Sequence, residues 1–430
     1  MNKSVLNLIH NNIFKETFIY TTTDMVGKAM SFILLPIVSF YMPPSELGIA
    51  TNFTVLTQLV ILLAGSAIVN SLPYFFYEQD KKDNILLVSN LLLLCMAICM
   101  VLSFVILLLS NLICNYLQLN ILIQQLSLIF VLGSLLSQIN LVLLRLENKA
   151  KYFAYLQILQ IFLHTLMVVL FVVILRGGGI GKIYAEVLAF GLMGLVHLYI
   201  LYKKGYIKFQ IESRWIKKLM KFGVPLLPHS VSFWLKGGVD KIYITSFCGL
   251  QSNGLYSMAI SISTIYTMLV NSFFGAYTPY LQKRLSELKK KACLNEKASI
   301  VKQTYLLYFL FIIVGVFTVF CSWFIFKYII DRKYLPAFEY IPAIIFANLI
   351  YSFYHFTIQY VFKAKKTLIM GIITFSGSLI QMLLSYYMIK LYGVMGAVYS
   401  MVIGNALVTI CITLYSNKVY PMPWLVFFRH

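Results

Sequence analysis

Val231–Cys248 reads VSFWLKGGVDKIYITSFC, a stretch apolar enough to cross a bilayer that nevertheless carries Lys236, Asp240 and Lys241. Lys28 sits in a similar setting within the first apolar stretch of the chain. An ammonium at membrane depth costs on the order of 3 kcal/mol even on the lenient insertion scale, so three of them call for a protected interior and for something anionic that uses it.

The surrounding composition says why a bilayer is the right frame. The chain has 430 residues, 60% of them hydrophobic and only 11% charged, with mean hydropathy +0.84; ordinary soluble domains carry charge on about a quarter of their residues. The first fifteen residues, MNKSVLNLIHNNIFK, have no continuous apolar core and no small-residue cleavage site, so they do not read as a secretory signal. The first span is expected to act as an uncleaved anchor. Seven cysteines (Cys95, Cys99, Cys114, Cys248, Cys293, Cys321, Cys411) are odd in number, lack paired spacing and read as free thiols; no metal site is expected.

About twenty apolar residues cross the hydrocarbon as a helix, and that length predicts twelve spans: roughly 16–41, 48–77, 85–109, 121–144, 152–175, 180–202, 222–247, 254–281, 303–326, 338–362, 367–389 and 394–416. On this map the termini and alternate loops hold 26 of the 35 Lys and Arg, and the remainder are divided between the opposite loops and the spans. Positive residues stay inside, so both termini are expected in the cytoplasm. That asymmetry accounts for the +21 net charge without nucleic-acid binding.

Two cytoplasmic loops are strongly basic. Lys203–Lys221 places Ile211, Trp215 and Leu219 at i, i+4, i+8 among Arg214, Lys217, Lys218 and Lys221, the pattern of a helix lying on an anionic leaflet. Lys283–Lys302 carries Lys289, Lys290 and Lys291. Topology signalling with leaflet anchoring and capture of an anionic headgroup are both compatible with these loops.

Three short matches point to a duplication. Lys149-Ala150-Lys151 recurs as Lys363-Ala364-Lys365, Gly178, Gly181 and Tyr184 recur as Gly393, Gly396 and Tyr399, and Gly48-Ile49-Ala50 recurs as Gly254-Leu255-Tyr256. Six spans per copy is an even number, so both copies enter from one side and are related by an axis along the membrane normal. The expected organisation is a six-helix bundle at 1–202, a basic amphipathic cytoplasmic linker at 203–221 and a second six-helix bundle at 222–430. The fold class is thus all-α integral membrane, twelve transmembrane helices in two parallel-repeat bundles around a central cavity.

The first helix of each bundle bears opposite charges four residues apart, Asp24 with Lys28 and Lys236 with Asp240. That spacing puts each pair on one face; Lys241 lies about 100° further round and cannot share the same carboxylate equally. Two readings stay open: ion pairs that lock helix register, or a cationic patch for a phosphate-bearing substrate with an acid exchanging protons or sodium ions. Glu186, in span six without an obvious basic neighbour, is the other ion-coupling candidate. Pro36, Pro225, Pro228 and Gly237-Gly238 make both charged helices bendable. Arg176-Gly-Gly-Gly-Ile-Gly-Lys-Ile183 lacks the first glycine and the final Ser or Thr of a phosphate loop and is set aside. His164, His229 and His355 are isolated, and the buried amides Asn70, Gln138, Asn140, Gln157, Gln160, Asn271, Asn348 and Gln359 read first as helix-to-helix hydrogen-bonding groups, with sugar hydroxyls as the other use. No catalytic residues are assigned.

Asp240-Lys241-Ile242-Tyr243 followed by Gly254-Leu255-Tyr256-Ser257 is similar to the Asp-Arg/Lys helix and Gly-Ile/Leu-Tyr-Ser segment of bacterial polysaccharide exporters, and Lys149-Ala-Lys151 and Gly393-Val-Met-Gly396-Ala resemble further elements of that group. The loop Glu78–Asp83 lacks the glycine-aspartate-arginine signature of major facilitator transporters. From Lys15 to Lys418 the chain therefore resembles the Wzx-type O-antigen flippases of the polysaccharide transport family, MATE-like members of the exporter superfamily that also holds multidrug transporters. The resemblance implies a non-enzymatic flippase that moves undecaprenyl-pyrophosphate-linked oligosaccharide across the bacterial inner membrane by alternating access. From the residues themselves, Lys28, Lys236 and Lys241 are expected on the diphosphate, with Asp24 and Asp240 holding those lysines or exchanging cations and Glu186 as the other ion-coupling candidate. No cofactor beyond a coupling proton or sodium ion is expected, a monomer is assumed, and a polysaccharide polymerase and chain-length regulator are the expected protein partners. A multidrug or cation antiporter of the same superfamily and a membrane-embedded polymerase or ligase are the alternatives.

Overall fold

Apolar runs without water to accept their backbone hydrogen bonds can only be helices or closed barrels. The computed structural model describes residues 3–288 and 294–424, and no β-strand occurs among them. Lys289, Lys290, Lys291 and Cys293 lie outside the described residues. Contacts divide the chain into two units, Met1–Val231 and Ser232–His430.

The first unit contains α1 (Lys3–Tyr41), α2 (Pro44–Ile61), α3 (Lys81–Leu108), α4 (Ile121–Leu146), α5 (Ala150–Val168), α6 (Gly178–Lys203) and the short α7 (Ser213–Gly223). Then follow α8 (Leu227–Gly237), α9 (Val239–Leu288), α10 (Leu294–Tyr328), α11 (Ile341–Lys363), α12 (Thr367–Tyr392) and α13 (Val394–Val419). Leucine, valine and phenylalanine side chains cover much of the outside: Leu108, Val316, Phe317 and Leu391 are all more than 60% exposed, which only a lipid environment tolerates over so large an area.

Eleven stretches among the described residues are long and apolar enough to cross a membrane. The longest, Ser213–Glu287, has 75 residues, about 110 Å at 1.5 Å per residue against a hydrocarbon core of about 30 Å. It turns at Gly249, whose φ of 85° and ψ of 171° break the helix in a region essentially closed to side chains. The stretch thus crosses twice, giving the twelve expected spans.

Each unit repeats one packing scheme. In the first, α4 packs on α6, α5 on α6 and α2 on α4; in the second, α11 packs on α13, α12 on α13 and α9 on α11. Gly178 and Gly393 have φ of 58° and 59°. Three residues on, a Cβ at Gly181 would press on the Phe171 carbonyl, and one at Gly396 would overlap the Met388 carbonyl. The two glycine motifs therefore do the same work, letting a helix start against the end of its predecessor. Gly48 is the fifth residue of α2, which begins at Pro44, and Gly254 is the fifth after the Gly249 turn.

The lysine match is not equivalent in the same way. Asn148 and Lys365 take the left-handed conformation, φ 56° and 58°. Lys149 N–H then bonds back to Leu144 O and Lys366 N–H to Val361 O, the pattern of a helix C-terminal cap. Lys149 thus corresponds to Lys366, three residues beyond the position that the Lys-Ala-Lys identity suggests.

The amphipathic linker helix forms, but the apolar face expected on the leaflet is spent on protein. Trp215 and Leu219 are fully buried, with α7 packed on α3 and on the short turn Ala67–Val69. Arg214 bonds Asp83 at 3.0 Å, and Lys217, Lys218 and Lys221 remain outward. Ile211 precedes the helix and is 72% exposed. The segment before it runs along α3, with the Ser89 side chain bonded to the Lys208 backbone, Asn90 Nδ2 donating to Gln210 O and Glu212 N–H donating to Asn90 Oδ1.

Candidate functional site

In the second unit the helix carrying the charges is interrupted where glycines permit it: α8 ends at Gly237 and α9 starts at Val239. Counted along the axis, Lys236 lies about 13 Å from Leu227 and about 20 Å from the Gly249 turn, near the bilayer midplane. The Lys236 carbonyl accepts from Gln381 Nε2 at 3.4 Å, so a neighbouring helix meets a backbone group at the break. The Lys236 ammonium sits 4.7 Å from the centre of the Tyr351 ring, an attraction strengthened by desolvation. Tyr351 is itself stacked on Tyr354 with centroids 4.8 Å apart.

The expected Lys236–Asp240 pair is not formed. The two residues stand on either side of the Gly238 interruption, and each has another partner. Asp240 is 1% exposed and accepts from Ser385 Oγ at 2.5 Å; Ser385 Oγ lies 2.6 Å from Ser400 Oγ, which reaches the Ala397 carbonyl at 2.8 Å. A carboxyl on α9, one serine on α12 and one on α13 thus form a buried polar chain. Lys241 is half-buried beside it.

The expected Asp24–Lys28 pair is not formed in the first unit either. Asp24 Oδ1 accepts from Gln157 Nε2 of α5 at 2.8 Å, and its other oxygen lies 3.6 Å from Arg145 at the end of α4. Arg145 also covers the Phe153 ring at 4.5 Å. Two neighbouring helices outcompete the lysine one turn away, and Lys28 is exposed and without an ion pair among the described residues. Glu186 does have a basic neighbour: Lys182, one turn earlier on α6, is 3.8 Å away. The i, i+4 spacing makes this pair geometrically natural.

Several buried amides hold helices together as expected. Asn140 Nδ2 meets His197 Nδ1 at 2.8 Å between α4 and α6, Gln157 joins α5 to α1, and Gln282 donates to Gln359. Arg145, Tyr351, Ser385 and Ser400 are site residues that sequence reasoning missed. Only Lys182 had a signal, its spacing to Glu186; the others meet their partners across helices far apart in the chain.

Residues 13–285 match the family described as polysaccharide biosynthesis protein. The chain belongs to that family. A protein of the Lsg locus of Haemophilus influenzae is 22% identical over 281 residues, covering 64% of this chain and 68% of that protein. Among solved structures, the inward-facing form of a multidrug resistance MATE family transporter of the MOP superfamily aligns with TM-score 0.71 at 14% identity, over 91% of this chain and 94% of the other. The lipid II flippase MurJ in an inward closed conformation aligns with TM-score 0.66 at 16% identity, over 94% and 87%. At such identities the likeness establishes the fold, and this polysaccharide biosynthesis protein has a MATE-like one.

Proposed function

We propose that the chain flips undecaprenyl-pyrophosphate-linked oligosaccharide units, of the O-antigen kind, from the cytoplasmic to the periplasmic leaflet of a bacterial inner membrane by alternating access, with both termini cytoplasmic. The observation that carries this reading is Lys236: an ammonium near mid-bilayer depth, beside a broken backbone, held by an aromatic ring instead of a carboxylate. A cation so placed has charge available for a diphosphate, and family membership in polysaccharide biosynthesis supports a sugar-bearing substrate. Lys28 and Lys241 are proposed as further diphosphate contacts, and Asp24 and Glu186 as charge partners.

Asp240 is proposed as the coupling acid, with a proton as the ion. Two serine hydroxyls supply two hydrogens for the three contacts of its chain. Ser385 donates to Asp240, and the Ser400 hydroxyl is shared between Ser385 and the Ala397 carbonyl, so a proton taken up by the carboxyl would complete the set.

The test uses cells that depend on this protein for surface polysaccharide. Lys236→Ala at normal expression should abolish export and leave lipid-linked units facing inward, and near-normal export would remove the assignment. The fold likeness to a MATE transporter favours a second reading, cation antiport; drug efflux from a pump-deficient strain, abolished by Asp240→Asn, would support it instead.

A further inference from the structure

A cavity of about 330 Å³ lies in the first unit, walled by α1 on one side and α5 on the other. Its polar wall is made by Gln157, Gln160, His164 and Thr165, positions i, i+3, i+7 and i+8, which fall on one helix face. Across from them α1 contributes Gly27 and Ser31; a Cβ on Gly27 would stand 3.2 Å from Ile161, so the bare backbone keeps the slot narrow.

Polar side chains at this depth ordinarily use up their hydrogen bonds on neighbouring helices. Here that is only partly so. Gln157 gives its amide hydrogen to Asp24, yet Gln157 Oε1 is buried without a hydrogen bond, and Thr165 Oγ1 is in the same condition. Such groups carry a desolvation penalty unless something meets them. The lining offers amide, hydroxyl and imidazole groups, which both donate and accept, and includes no carboxylate and no ammonium. It is unsuited to the diphosphate and to a cationic drug. The volume equals about eleven waters and sits at the small end for ligand pockets.

From this slot we infer that the first unit binds one uncharged sugar ring of the substrate, with Gln160 and Thr165 as hydroxyl-recognising residues. This rests on the reading that the substrate carries sugars, and its test is separable from that reading. Saturation-transfer NMR would use the full chain in nanodiscs with free glucose, galactose and N-acetylglucosamine. Transfer to at least one sugar is expected, weakened about three- to tenfold by Gln160→Leu and by Thr165→Val, with melting temperature unchanged. No transfer to any of the three, or equal transfer in both variants, overturns the slot. In the export assay, wild-type export with reduced export by both variants supports it, and normal export by both overturns it while leaving the flippase reading intact. If the wild type itself exports nothing, the flippase reading falls and the NMR result alone decides the slot.

Discussion

Glu147 caps the turn between α4 and α5 and should report directly on how that end of the first unit is held. Its carboxylate accepts from Lys149 Nζ at 2.8 Å, Lys204 Nζ at 3.0 Å and Tyr206 Oη at 2.9 Å. Lys149 is 47% exposed, so that bond contributes about 0–1 kcal/mol. Lys204 is 23% and Glu147 15% exposed; hydrogen bonds to a charged group contribute about 1.5–3 kcal/mol each. Taking the lower end for both Lys204 and Tyr206, Glu147→Gln should cost about 3 kcal/mol. For a unit of this size that is a fall of roughly 6–12 °C in melting temperature, readable by tryptophan fluorescence in nanodiscs.

The pH dependence gives the sharper check. Burial pushes the Glu147 carboxyl up, but the hydrogen bonds from Lys149, Lys204 and Tyr206 and the Lys204 charge outweigh it, and the group is held below its ordinary value. A lowered folded pKa means stability that is fully present above the unfolded value of about 4.3 and is lost as pH falls through the folded one. The gap between wild type and Glu147→Gln should therefore be constant from pH 8 to about 5 and close in more acid solution. A gap absent at pH 7, or undiminished well below pH 4, would refute the reasoning.

Gly249→Ala should lower stability by about 1–3 kcal/mol through backbone strain alone, because nothing lies within 4 Å of the added methyl; thermal melting measures it. Gly133→Ala should be worse, since its Cβ would overlap the Phe190 carbonyl and force α4 from α6, whereas Gly275→Ala in open space should be tolerated; expression and melting of the two variants compare them. Asp240→Asn, whose amide oxygen can still accept from Ser385, should keep the fold but uncouple export from the proton gradient, while Asp240→Ala leaves the serines facing a void and should lose about 1–3 kcal/mol as well; export with and without a protonophore separates the two.

The sequence made the crossings legible because lipid allows one spacing of about twenty apolar residues, and it made the break at Gly237-Gly238 legible because glycine pairs are rare where helices must be continuous. The partners were not. Spacing of four suggested Asp24 with Lys28 and Lys236 with Asp240, but a helix face says only what could meet. Gln157, Arg145, Tyr351 and Ser385 reach the same groups from helices more than a hundred residues away, and nothing linear announces them. The same limit hid the burial of Trp215: an amphipathic helix looks alike whether its apolar side meets acyl chains or α3.

The caps at Asn148 and Lys365 have a practical corollary for anyone recombining the two halves. Backbone shape, not letter identity, marks where one copy can be spliced into the other: a chimera joined at Asn148 and Lys365 keeps the start of the following helix, Ala150 in one copy and Thr367 in the other, in phase. One joined at the two Lys-Ala-Lys triplets would insert or delete three residues, nearly a full turn, and rotate the following segment by about 60°. Ancestral reconstruction from the internal symmetry should be anchored at those caps for the same reason.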